Sequence, residues 1–98
     1  MRLTSKEREA IVTQARRIFG DAACITLFGS RVDDNRRGGD IDLLVHADGD
    51  LHAAFRRKVQ FLVEVKSRIG EQHIDVVVAL PDDPRPIVAE ANRTGVEL

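Results

Sequence analysis

Three segments of the chain repeat apolar side chains at intervals of three or four residues, which is the period of an amphipathic helix. Thr4 and Glu7 have the spacing of a capping box at the start of the first segment, and Gly20 follows its end. Asp50 precedes the second segment as a helix cap, and Pro86 opens the third. The pattern therefore predicts helices over residues 4–19, 51–69 and 86–94.

The most regular apolar stripe of the second helix predicts which of its sides faces the core. Phe61 and Val63 widen that stripe, and two interpretations stay open for them. A neighbouring helix covers them, or they form a patch that faces a partner. The predicted inner stripe consists of Leu51, Phe55, Val59, Leu62 and Ile69.

Short apolar runs rich in β-branched residues predict strands at residues 23–28, 40–46 and 73–80. Residues 30–39, between the first two runs, are polar and rich in Arg, Asp and Gly, so they form a connector with at most a turn or two of helix. We expect one α+β domain over residues 1–98, with α/β-like alternation in the order αβαβαβα. Its small mixed sheet would pack on helices and leave one face open as an active cleft.

Acidic side chains lie on one side of two predicted strands. Because side chains alternate across a strand, Asp40 and Asp42 point away from the apolar side of the strand over residues 40–46. Asp75 interrupts the otherwise apolar strand over residues 73–80 and lies opposite its apolar side. If both apolar sides pack on helices, the three carboxylates share the open face of the sheet.

Three carboxylates on one face favour a cation. Two like charges ~4 Å apart repel by about 4 kcal/mol at an effective dielectric of ~20, and Mg²⁺ prefers carboxylate, water and phosphate oxygens. Asp40, Asp42 and Asp75 are therefore candidate metal ligands. The alternative for the first two is a solvated strand edge, and the alternative for Asp75 is an ion pair with an arginine such as Arg31.

The first predicted strand ends at Gly29, and Ser30 and Arg31 follow it. A glycine lets a phosphate approach the backbone, the Ser30 hydroxyl adds a donor, and the Arg31 guanidinium matches phosphate oxygens. These three residues are candidate nucleotide ligands. The alternatives are an ordinary Gly-Ser turn and a solvated loop, and a solvated loop is the preferred interpretation for Arg36 and Arg37.

Composition and charge narrow the function classes. The chain has 98 residues, of which 43% are hydrophobic and 32% charged, as in ordinary globular domains. Its net charge is -1, with four Phe and neither Trp nor Tyr, so direct binding of nucleic acid is not expected. No signal peptide or apolar run of ~18 residues is present, which predicts a soluble cytoplasmic protein.

The cysteine and the histidines do not form a recognisable metal-binding motif in the sequence. Cys24 is the only cysteine, so no internal disulfide forms, and its apolar segment predicts a core position. His46, His52 and His73 have no metal-ligand spacing to one another, and each is expected to be exposed or locally bonded.

Taken together, residues 27–31 and 39–45 resemble the signature of the DNA polymerase β-like nucleotidyltransferase superfamily, and more narrowly the minimal nucleotidyltransferases of prokaryotes. Residues 74–77 match the family's third-carboxylate strand, and residues 90–98 resemble its usual tail. The resemblance implies that Gly29 and Ser30 hold a triphosphate. It also implies that Asp40 and Asp42 bind one or two Mg²⁺ and that Asp75, a further metal ligand, activates the attacking hydroxyl.

The resemblance also implies a partner. Minimal nucleotidyltransferases are similar to antitoxins that transfer AMP from ATP to a hydroxyl, expected to be that of a tyrosine, on a helical HEPN-type toxin. A hetero-oligomer with such a toxin is therefore the first hypothesis, with the acceptor supplied by the partner. Two alternatives are an antitoxin that neutralises its partner by binding alone, and an antibiotic-type nucleotidyltransferase that uses a separate subunit.

Overall fold

The computed structural model describes residues 3–32, 39–47 and 50–98. Arg36 and Arg37 lie outside these residues, so the structure does not address the prediction that they belong to a solvated loop. The elements are α1 (Ser5–Phe19), β1 (Cys24–Phe28), a 3-10 helical turn (Gly29–Arg31), β2 (Ile41–His46), α2 (Leu51–Ile69), β3 (Ile74–Ala79), α3 (Pro86–Thr94) and β4 (Val96–Glu97).

The helix starts are those that the sequence predicts. The Glu7 backbone N–H donates to the Thr4 hydroxyl at 3.0 Å, and the Thr4 N–H donates to the Glu7 carboxylate at 2.9 Å, which completes the capping box of α1. The Ala53 N–H donates to the Asp50 carboxylate at 2.7 Å, which caps α2. Each cap satisfies backbone donors that have no partner within the helix.

A four-stranded mixed sheet has the order β3-β2-β1-β4. Strands β2 and β3 are parallel, since α2 connects them as a crossover, and the other two pairs are antiparallel. The sequence did not predict β4, because its two residues are too short for an alternating pattern. These residues pair with Thr26 and Leu27 of β1.

The outer edge of β3 is partly covered by a side chain. The Arg85 guanidinium donates to the Val78 carbonyl oxygen at 2.6 Å, where a further strand would otherwise pair. The Asp83 carboxylate holds the same guanidinium, at 2.7 Å. This ion pair therefore lies beside the edge of the sheet.

Helices α1 and α2 cover one face of the sheet, and the main core lies between them and the strands. Its fully buried members include Ile11, Leu43, Val45, Phe61 and Val65. On the opposite face, α3 packs a smaller cluster that consists of Phe28, Leu44, Ala79, Val88 and Ala91. The face predicted to be open is thus covered by α3 at one end, and its exposed end is the one where β2 and β3 begin.

The predicted inner stripe of α2 is wrong for three of its five residues. Leu51, Phe55 and Val59 are 74%, 65% and 47% exposed, and Val63 is 62% exposed. Leu62 and Ile69, the other two members of the stripe, are partly buried and pack against the core.

The buried residues of α2 are Ala54, Phe61 and Val65. The helix carries two apolar stripes, and the one that faces the core combines a small residue, Ala54, with Phe61. The Phe61 ring packs edge-on against Phe19, with ring centroids 5.8 Å apart. Phe61 is therefore a core residue, whereas Val63 belongs to the exposed side. Cys24, predicted in the core, is exposed at the start of β1.

Candidate active site

The turn after β1 is built on a glycine that no other residue can replace without strain. Gly29 has φ +77°, a left-handed conformation that side chains rarely adopt. A Cβ atom at this position would overlap the Asp42 carboxylate, since it would lie 3.1 Å from Asp42 Cγ and closer still to Oδ2. The two halves of the predicted motif are therefore in direct contact, with the Gly29 backbone against the Asp42 side chain.

Ser30 and Arg31 continue this turn. Both are partly buried. The Arg31 guanidinium donates to the Gly39 carbonyl oxygen at 2.9 Å, so it joins the two ends of the connector, and it lies 4.0 Å from a Glu7 carboxylate oxygen. A role for Ser30 and Arg31 in binding phosphate stays a prediction.

Glu7 links the helical layer to this site. Its carboxylate accepts a hydrogen bond from the Gln72 side chain at 2.7 Å in addition to the cap from Thr4. Burial alone would raise the pKa of Glu7, but the hydrogen bonds from Thr4 and Gln72, with a smaller effect of Arg31, hold that pKa below its usual value. From the sequence Glu7 was identified only as a capping residue.

Parallel pairing of β2 and β3 brings the acidic side chains together. Asp42 is the register partner of Asp75. The Ile41 N–H donates to the His73 carbonyl oxygen at 3.0 Å, which extends the pairing to the residues just before both strands. The parallel register thus places Asp40, Asp42 and Asp75 at the same end of the sheet, whereas alternation alone predicts only that they share a face. Their assignment as metal ligands stays a prediction.

Asp40, Asp75 and His73 have a donor set and spacing that fit a divalent cation. One ligand atom from each lies within 4.8 Å of the other two, and all three residues are exposed. Ligands at ~2.1 Å around an octahedral ion are about 3.0 Å apart when adjacent and about 4.2 Å apart when opposite. The cluster is therefore only slightly wider than a bound ion requires.

Electrostatics at Asp42 favour a cation as well. Burial, followed by the charges of Asp75 and Asp40, raises the pKa of Asp42 above its usual value, and His73 opposes this only in part. A bound divalent ion would offset the repulsion among these carboxylates. The pKa of Asp42 is thus raised first by burial and then by neighbouring negative charge, and a cation would offset the second of these effects.

A comparison with protein families identifies the fold around this site. The family model described as a nucleotidyltransferase domain matches residues 8–94. The chain belongs to the nucleotidyltransferase domain family. The match includes the Gly29 turn and all three aspartates. No curated protein matches the sequence.

Membership of the nucleotidyltransferase family supports transferase activity, and the acidic cluster is consistent with a bound Mg²⁺. A nucleotidyltransferase joins a nucleotide to an acceptor, and the charge on its phosphates must be offset during the reaction. In the part of the chain that the structure describes, none of the helices is long and apolar enough to span a membrane.

The sequence does not predict that His73 belongs to the acidic cluster of this site. The prediction that it is exposed or locally bonded is confirmed, because its Nε2 atom lies 3.2 Å from Asp75 Oδ1. Its position beside Asp40 was not foreseen. The available signal was its spacing of two residues from Asp75, which places both side chains on the same face of an extended segment.

Proposed function

We propose that this protein is a Mg²⁺-dependent nucleotidyltransferase that transfers AMP from ATP to a hydroxyl group, expected to be a tyrosine hydroxyl, on a cognate HEPN-type toxin. In this proposal it acts as the antitoxin of the pair. The observation that carries the catalytic part is the contact between the Gly29 turn and Asp42, at the end of the sheet where Asp40 and Asp75 also lie.

The proposed chemistry divides among few residues. The Gly29 backbone and the Ser30 hydroxyl bind the triphosphate, and Asp40, Asp42 and Asp75 hold Mg²⁺. When bound, the metal supplies positive charge that neutralises the phosphates. The acceptor hydroxyl oxygen bonds to the α-phosphorus, its proton passes to Asp75, and the bond from the α-phosphorus to the bridging oxygen breaks to release pyrophosphate.

Positioning explains most of the expected catalysis. Phosphoryl transfer needs little covalent participation from the protein, so the fixed contact between turn and carboxylate matters more than any single base. The Gly29 backbone lies against the Asp42 side chain, and the backbone of Asp42 is held by the pairing of β2 with β1 and β3. The paired strands thus fix the backbone positions from which the carboxylates act.

The exposed side of α2 supports a protein partner. Four large apolar side chains lie there at helical spacing, and we call them the α2 surface (Leu51, Phe55, Val59 and Val63). Contiguous exposed apolar residues on a small domain are typical of an interaction site. A helical partner can lay its own apolar stripe against such a face.

Charge around the α2 surface favours an acidic partner over a second copy of this chain. Helix α2 has five basic side chains and one acidic side chain, a net charge of +4. Two copies that met through this helix would place like charges opposite each other, which opposes association. The basic residues are Arg56, Arg57, Lys58, Lys66 and Arg68.

The catalytic proposal is tested by mass spectrometry of the partner. The protein is incubated with ATP, Mg²⁺ and the HEPN-type toxin encoded beside it, and the intact toxin is weighed. We expect a gain of one or more AMP units with the native chain and no gain with the combined variant Asp40→Ala and Asp42→Ala. An unmodified toxin with the native chain, or equal modification by both proteins, would contradict the proposal.

A second candidate function is neutralisation by binding alone, which the α2 surface favours because docking there needs no catalysis. The same double variant separates the two functions in cells that express the toxin. Growth rescued by the native chain but not by the variant supports AMP transfer. Growth rescued equally by both supports neutralisation by binding.

A further inference from the structure

We propose that His73 is itself a metal ligand, so that the nucleotide site binds its cation with mixed carboxylate and imidazole ligands and prefers Mn²⁺ to Mg²⁺. The inference rests on the metal site of the proposed function. It adds a nitrogen ligand that the three-carboxylate motif does not contain.

The parallel register places His73 where a ligand is needed. Asp42 is paired with Asp75, and the hydrogen bond from the Ile41 N–H to the His73 carbonyl oxygen continues that pairing by one step. Asp40 and His73, each two residues before a paired aspartate, therefore stand side by side. Two neighbouring strand ends thus present four ligating side chains, two from each strand.

Distance and exposure agree with direct coordination. His73 Nε2 lies 3.2 Å from Asp75 Oδ1, close to the ~3.0 Å that separates adjacent ligands of an octahedral ion. The side chains of His73 and Asp75 are 65% and 59% exposed, so a hydrated ion can reach both. With its proton on Nδ1, a neutral imidazole directs the Nε2 lone pair toward that ion.

The other two histidines have different surroundings. His46 Nε2 lies 3.1 Å from the Asn92 side-chain oxygen, so its ring joins β2 to α3. His52 is exposed in the first turn of α2. Neither belongs to the cluster that could hold a metal among the described residues. They are therefore natural controls for His73.

Ligand chemistry gives the expected selectivity. Mg²⁺ strongly prefers oxygen ligands and loses its water reluctantly, whereas transition-metal ions accept imidazole. A site of carboxylates alone suits both Mg²⁺ and Mn²⁺. An added imidazole shifts the preference toward Mn²⁺, because only that ion gains from the nitrogen.

Pulsed electron paramagnetic resonance of bound Mn²⁺ tests the ligand directly. The full chain is loaded with Mn²⁺ and the non-hydrolysable analogue α,β-methylene ATP, with its histidines either unlabelled or labelled with ¹⁵N. We expect a directly coordinated nitrogen that changes from ¹⁴N to ¹⁵N with the label, which excludes the nucleotide as its source. The signal should vanish in His73→Gln and persist in His46→Gln and His52→Gln.

Titration of the free Mn²⁺ signal measures the affinity. We expect His73→Gln to weaken Mn²⁺ binding by about 10-fold and Mg²⁺ binding, measured by competition, by less than about 3-fold. A native chain without histidine coupling, or a coupling that survives in His73→Gln, would overturn the inference. A loss of affinity without any nitrogen coupling in the native chain would also overturn it, since His73 would then act only by orienting Asp75.

The outcomes separate this inference from the proposed function. Bound Mn²⁺ with AMP transfer but without histidine coupling contradicts the inference and leaves the proposed function standing. No metal binding and no AMP transfer contradict both. The ¹⁵N experiment on the native chain does not depend on the folding of any variant, and His73→Asn provides a second substitution if the glutamine variant is unstable.

Discussion

The raised pKa of Asp42 leads to a prediction in which a substitution in the active site stabilises the protein. Asp42→Asn keeps the size and polarity of the side chain but removes its charge from a cluster of carboxylates. In the absence of metal at pH 7, we expect the variant to be more stable than the native chain. A functional site that keeps like charges together lowers the stability of the fold, so removing one of those charges is expected to raise it.

The magnitude follows from the strand geometry. Neighbouring strands are ~4.8 Å apart, and two unit charges at that separation repel by about 3 kcal/mol at an effective dielectric of ~20. Asp75 is more than half exposed, so water screens the pair, and about 1 kcal/mol is a reasonable net value. For a domain of this length, an increase of about 1 kcal/mol in the free energy of unfolding raises the Tm by roughly 4–8 °C.

The stabilisation by Asp42→Asn depends on pH. The folded state raises the pKa of Asp42, mainly by burial and then by Asp75 and Asp40, so it holds the proton more tightly than the unfolded chain does. Stability of the native chain therefore falls as pH rises from the ordinary aspartate pKa of ~3.9 through the raised folded pKa. The advantage of Asp42→Asn should be complete above that window and absent below it.

Thermal unfolding in a metal chelator, at pH 7 and again near pH 3, measures this effect. With saturating Mg²⁺ and nucleotide, the native chain should instead be the more stable protein. A ligand at 100 times its Kd adds about 2.7 kcal/mol to the free energy of unfolding, and we expect only the native chain to gain it. Asp83→Asn is the matched control. Hydrogen bonds from Arg85 lower the pKa of Asp83, so the same substitution there should destabilise. A metal-free Asp42→Asn protein that is no more stable than native at pH 7 would refute the reasoning.

Three further predictions concern single positions. Gly29→Ala should abolish AMP transfer and lower the Tm more than Gly70→Ala does. Both glycines have positive φ, but only a Cβ at Gly29 meets another side chain, so equal losses of Tm would contradict the proposed contact. Phe61→Ala should lower the free energy of unfolding, measured with urea, by about 3–5 kcal/mol, because Phe61 is fully buried. Phe55→Ser, on the exposed side, should change it by less than about 0.5 kcal/mol but weaken partner binding. Because the folded state lowers the pKa of Glu7, the ionised Glu7 stabilises the native chain above the ordinary Glu pKa, and this stabilisation is lost as pH falls through the lowered folded pKa. Glu7→Gln should therefore be less stable than the native chain at neutral pH, and the two proteins should reach equal stability in acid.

Much of the fold follows from local signals that the structure confirms. Thr4, Glu7 and Asp50 are caps because their side chains satisfy neighbouring backbone donors, an effect that needs no tertiary contact. The common side of Asp40, Asp42 and Asp75 also follows from local alternation, once the two strands are taken to be parallel neighbours.

The features that sequence did not predict depend on tertiary contacts. The rotation of α2 depends on which of its two apolar stripes packs against the core, and burial shows that it is the stripe with Ala54 and Phe61, while Leu51 and Phe55 are exposed. β4 exists because its two residues meet an unpaired edge of β1. The place of His73 in the site depends on the register between strands, which only the folded sheet defines.

The guanidinium of Arg85 at the Val78 carbonyl has a consequence for assembly. An uncovered outer strand would allow copies of the protein to extend the sheet, a common route to aggregation, and a charged side chain at that edge opposes it. Because the Asp83 partner keeps its charge well into acid, this protection should persist at low pH but weaken at high ionic strength. Solution conditions that screen the pair should therefore favour polymers in which copies of the protein extend one another's sheets.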